Sequence, residues 1–72
     1  MGNYDSELGP YEGQRATVHA VGIDDPIEGT LQRGMVGLYS VSGQSGSLIL
    51  IPGEPATIEI GPIRIDLLNL QL

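Results

Sequence analysis

Apolar and polar residues alternate along much of this chain, and glycine or proline interrupts them every few positions. In Ala16-Thr17-Val18-His19-Ala20 the three apolar side chains fall on one side of an extended segment, and Thr17 and His19 fall on the other. Asp24-Asp25-Pro26 ends that segment, because aspartate favours turns and proline has no N–H to give a ladder. The longest stretches free of glycine and proline are residues 63–72 and 14–21, and neither carries a clean 3.6-residue stripe. The pattern therefore predicts strands and turns rather than long helices.

Three hairpins follow from the same reading. Residues 27–32 and 35–41 fold back around Arg33-Gly34, with the glycine supplying a positive φ. Residues 36–41 and 47–52 are joined by Ser42-Gly43-Gln44-Ser45-Gly46, a run of turn-formers. Leu48-Ile49-Leu50-Ile51 is apolar on both faces, as expected of a central strand or of one covered by a neighbouring subunit. The last hairpin turns at Gly61-Pro62, glycine first as a type II′ turn requires. That register pairs Ile60 with Ile63, Ile58 with Ile65 and Ala56 with Leu67 on one face. On the other face Glu59 meets Arg64 and Thr57 meets Asp66, so an apolar face and an opposed-charge pair emerge together.

At Leu67-Leu68 the alternation changes phase, which predicts a bulge, a strand end or a switch to helix. The apolar end Leu68-Asn69-Leu70-Gln71-Leu72 is expected to pack on its own sheet or on a neighbour. Residues 1–14, with Tyr4, Leu8 and Tyr11 among acids and glycines, read as an N-terminal arm or a short segment capping one end. Residues 15–72 then form a single small β domain. The fold class is all-β, a small antiparallel sheet of five or six strands curled into an open barrel or sandwich. In size and hairpin order it resembles, in outline only, the SH3-like and Sm-like small barrels. The aromatic peptide groove of the former and the basic RNA face of the latter are missing.

Composition narrows the function classes. Nine acids against three Lys+Arg give a formal net charge of −6 over 72 residues, which argues against direct nucleic-acid contact. Without cysteine there is no disulfide framework, thiolate metal site or cysteine nucleophile. For so short a chain, burial of apolar surface and the entropy of ordering are similar in size. Oligomerisation is the remaining common source of stability, so a homo-oligomer is expected, with Leu48, Leu50, Leu68, Leu70 and Leu72 at its interface. The N-terminus lacks a basic segment followed by an apolar one, and no apolar run reaches the roughly 20 residues of a membrane span. The expected location is cytoplasmic, with no membrane partner.

Candidate chemistry is sparse. His19 is the one side chain with an ordinary pKa near neutrality, but a lone histidine on an outer face is usually structural. Asp24-Asp25 lacks the six or more oxygens that calcium needs, and reads as a solvated turn. The Gly43-Gln44-Ser45-Gly46 tip could hold an anion through backbone N–H groups, although turn geometry alone accounts for its composition. Arg15 and Arg33 could add guanidinium groups to such a site between subunits. No cofactor, metal or catalytic residue is expected. The first functional reading is a non-enzymatic protein-interaction or assembly module acting as a homo-oligomer. The alternatives are a binder of anionic, nucleotide-like small molecules at Arg15, Arg33, Gly43, Gln44, Ser45 and Gly46, and an acidic inhibitor occupying a partner's nucleic-acid or anion site.

Overall fold

The computed structural model describes residues 2–34, 36–44 and 46–72. A short helix α1 (Tyr4–Leu8) and a 3-10 turn (Gly9–Tyr11) precede six strands. These are β1 (Arg15–Ala20), β2 (Ile27–Arg33), β3 (Tyr39–Gly43), β4 (Gly46–Leu50), β5 (Ala56–Ile60) and β6 (Ile63–Asp66). A second 3-10 turn, Leu67–Asn69, follows β6. The strands form one antiparallel sheet in the order β4-β3-β2-β1-β5-β6, so β1 lies inside and β4 and β6 form the edges. The sheet does not close on itself, in keeping with the all-β, open outline expected from the pattern.

Alternation places the core. Ala16 and Val18 of β1, Leu31 of β2, Tyr39 and Val41 of β3, Leu50 of β4, Ile58 and Ile60 of β5 and Ile65 of β6 are buried on one face. Tyr4 and Leu8 of α1, with Leu67 and Leu70 from the C-terminal turn, cover that face and join the same cluster. Within the N-terminal segment, Tyr4 and Leu8 pack against the sheet while most of the other described residues up to Gln14 are exposed. The two chain ends are tied together, Tyr4 N–H donating to Gln71 O at 2.8 Å and Gln71 N–H to Asn3 Oδ1 at 2.8 Å.

The β5–β6 hairpin has the register read from the sequence, Ile60 opposite Ile63, Ile58 opposite Ile65, Glu59 opposite Arg64 and Thr57 opposite Asp66, but the expected Ala56–Leu67 pair does not form because Leu67 opens a 3-10 turn. Gly61 has φ +59°, as the first central residue of a type II′ turn requires. The phase change at Leu67 is a strand end. Asp66 caps the 3-10 turn by accepting from Leu68 N–H at 3.1 Å, and the turn sends Leu67 inward and Leu68 outward.

Three further expectations change. The β2–β3 connection is longer than an Arg33-Gly34 turn, because Arg33 pairs with Tyr39 and Gly34, Val36, Gly37 and Leu38 lie outside both strands. Its left-handed glycine is Gly37 at φ +81°, not Gly34; Met35 lies outside the described residues. The β3–β4 connection is tighter than residues 42–46: Ser42 and Gly43 already pair with Ser47 and Gly46, and Gln44 turns between them; Ser45 lies outside the described residues. The apolar run 48–51 is not a central strand; β4 is an edge.

Candidate functional site

Arg15, at the start of β1, and the β3–β4 tip come together although 28 positions separate Arg15 from Gly43. The β1–β2 and β2–β3 ladders bring them close: Arg15 pairs with Thr30, and Thr30 pairs with Ser42. A hollow of about 460 Å³ results, lined by Arg15, Glu28, Gly29, Thr30, Ser42, Gly43 and Gln44. Its floor depends on glycine, since a Cβ at Gly29 would stand 2.2 Å from Ser42 O and one at Gly43 would stand 2.1 Å from Glu28 O. Among the described residues Arg15 makes no ion pair, and Thr30, Ser42 and Gln44 add polar groups. Glu28 also lines the hollow, and an acidic residue beside Arg15 limits its pull on an anion.

Arg33 does not join this site. Its guanidinium lies 3.3 Å from Asp5 Oδ1 and 5.9 Å from the centre of the Tyr39 ring. The Tyr39 hydroxyl donates to the same Asp5 oxygen at 2.6 Å. That bond to Asp5, with burial added, pushes the Tyr39 phenol up to about 12. Beside it the Tyr4 hydroxyl accepts from Tyr39 N–H at 2.7 Å and donates to Leu50 O. Burial raises the Tyr4 phenol, partly offset by the bond from Tyr39. Tyr39 and Leu50 are ladder partners, so Tyr4 inserts its hydroxyl as a bridge between β3 and β4. This cluster is a structural joint that holds α1 on the sheet.

His19 lies on the outer face, its Nε2 2.6 Å from Glu59 Oε1 across the β1–β5 pair. Glu59 is therefore engaged by His19, while Arg64, opposite it in the ladder, has no ion pair among the described residues. No cluster of three or more His, Cys, Asp or Glu side chains that could hold a metal ion occurs among the described residues.

The leucines assigned to an oligomer interface separate into two groups. Leu50 and Leu70 belong to the chain's own core, and Leu48 is half-buried on the inner side of β4. Leu50 and Leu70 are spent inside the protomer, whereas Leu48 keeps part of its surface open and Leu68 and Leu72 are exposed. Sequence reasoning missed the outward row instead: Ile49 is 56% exposed, Ile51 43% and Val36 82%. Gly34, Val36, Leu38, Ser40 and Ile49 enclose an apolar hollow of about 210 Å³ on this outer side. One signal could have found it. All nine acids and all three arginines lie outside residues 34–53, so this stretch has no charge of its own in a chain of net charge −6.

Comparison with known proteins adds no relative: no family model, no curated protein and no solved structure matches the chain.

Proposed function

We propose that the protein is a non-enzymatic assembly module that acts as a homo-oligomer through protein surfaces. One observation carries this reading: the β3–β4 hairpin combines an unpaired sheet edge, exposed Ile49, Ile51 and Val36, and no charged residue anywhere from position 34 to 53. Edge strands invite pairing, and folded proteins usually blunt them with charge or proline. A contiguous apolar patch beside such an edge marks an interaction surface. No helix among the described residues is long and apolar enough to cross a membrane. The cysteine-free, acidic composition suits the reducing cytoplasm, which we take as its location.

A test is the native mass of the purified protein across a dilution series. A mass that is a multiple of 7.6 kDa supports the reading, and a monomer at every concentration refutes it.

A second reading has its own observation. The hollow that joins Arg15 to Thr30, Ser42, Gly43 and Gln44 could take a small anionic ligand, without Arg33 and without a subunit boundary. Arg15→Ala would abolish binding of inorganic phosphate or a nucleotide there while leaving the native mass unchanged. Glu28 in the same hollow makes this the weaker of the two.

A further inference from the structure

β4 is an edge strand whose backbone groups alternate between β3 and the outside. The Tyr4 hydroxyl bridges Tyr39 N–H and Leu50 O, so the Leu50 carbonyl faces β3. By the alternation of an antiparallel ladder, Ser47 and Ile49 turn their N–H and C=O groups away from β3, toward the free edge. Beyond the end of β4 the Ile51 carbonyl accepts from Glu54 N–H at 3.3 Å. Ile49 also projects its side chain onto the outer face, opposite Ser40 and beside Val36 and Leu38.

We infer that this edge pairs with the β4 edge of a second copy, antiparallel about a two-fold axis at Ile49, to give one continuous sheet across two protomers. The inference rests on the assembly reading and specifies its surface. Three features select a second copy as the occupant. Two chains of net charge −6 repel one another, and residues 34–53 are the long uncharged stretch through which they can meet. The edge is also self-complementary. With Ile49 opposite its symmetry mate, Ser47 faces Ile51 and Leu48 lies across from Leu50, so the two Ile49 side chains meet on the outer face while the partly exposed Leu48 meets the rim of the core on the inner face. The half-exposed Leu48 gains cover in the same step.

The other edge makes a poorer mate. β6 carries Arg64 and Asp66 on its outer side and follows Pro62. Set against β4, it would place these charges beside Ile49 and Ile51, where nothing answers them.

Single-cysteine variants test the geometry cleanly, because the native chain has no cysteine. Residues facing each other in an antiparallel pair have Cα atoms about 5.5 Å apart, within the range a disulfide spans. Ile49→Cys should become a covalent dimer under mild oxidation, and Arg64→Cys on the opposite edge should remain a single chain. Ile49→Lys should lose the dimer while keeping the circular dichroism of the native fold, since Ile49 is an exposed position. Ile49→Thr should keep it. An oligomer that cross-links through Arg64→Cys and not through Ile49→Cys overturns the edge assignment and leaves the assembly reading intact. A protein that stays monomeric at 7.6 kDa overturns both. A monomer that sediments with phosphatidylcholine vesicles, and ceases to do so as Ile49→Lys, assigns the edge to lipid and overturns the inference.

Discussion

Replacing Tyr4 with phenylalanine removes one oxygen atom and leaves the ring in the core. Tyr4 is 2% exposed, and its hydroxyl accepts from Tyr39 N–H and donates to Leu50 O. Without it, a buried backbone donor and a buried backbone acceptor both lose their partner. Each such group costs roughly 1–3 kcal/mol when left unmade. Because Tyr39 and Leu50 are ladder partners, β3 and β4 can draw together and recover part of that loss. A net destabilisation of about 2–3 kcal/mol follows. Tyr39→Phe provides the comparison. Its hydroxyl donates to Asp5, whose side chain is 65% exposed and can turn to water, so the expected cost is about 1 kcal/mol. Urea denaturation at a fixed protein concentration measures both, the concentration being held because assembly would itself add stability. The denaturant slope should not change. Equal costs for the two variants, or a Tyr4→Phe cost below about 0.5 kcal/mol, would refute the bridging role of the hydroxyl.

Other outcomes follow from the same packing. Gly29→Ala should destabilise by about 1–3 kcal/mol, since its Cβ would meet Ser42 O at 2.2 Å and force β2 from β3; an unchanged thermal midpoint would contradict that contact. Leu70→Ala should cost about 2–4 kcal/mol as a core truncation, whereas Leu72→Ala, at a position 77% exposed, should stay within about 0.5 kcal/mol. The Tyr39 phenol is raised in the folded state from 10.0 to about 12, so its contribution is intact below pH 10 and is lost as pH climbs toward 12. Tyr4, also raised, acts in the same direction. Tyr39→Phe should flatten that alkaline decline in a series of unfolding midpoints.

Local pattern was enough where each residue's role depended on its near neighbours. The β5–β6 hairpin was legible because the turn, the apolar face and the Glu59–Arg64 opposition all required one register. The inward set Ala16 and Val18 followed from alternation alone. Sheet order was not legible in that way. Residues 48–51 are apolar on both faces whether a strand lies inside a sheet or at an uncovered edge, and only the pairing of β1 with both β2 and β5 places β4 outside. The first helix escaped because Tyr4 and Leu8 give a five-residue segment too little periodicity, while its position is fixed by the distant Tyr39, Leu50 and Gln71. Arg15 and Gly43 were both visible as candidates, but their meeting depends on two successive ladders. Arg33 was drawn elsewhere by Asp5, a residue that no local pattern connects with it.

The most direct test of a paired β4 edge is amide hydrogen exchange at Ile49, compared between concentrated and dilute protein. In the single chain this N–H points away from β3 and exchanges with water; across a two-fold pair it is hydrogen-bonded and protected. Protection at high concentration that is lost on dilution, in step with the fall in native mass, is the predicted result. An Ile49 amide that exchanges freely in a sample whose native mass is twice 7.6 kDa would contradict the account.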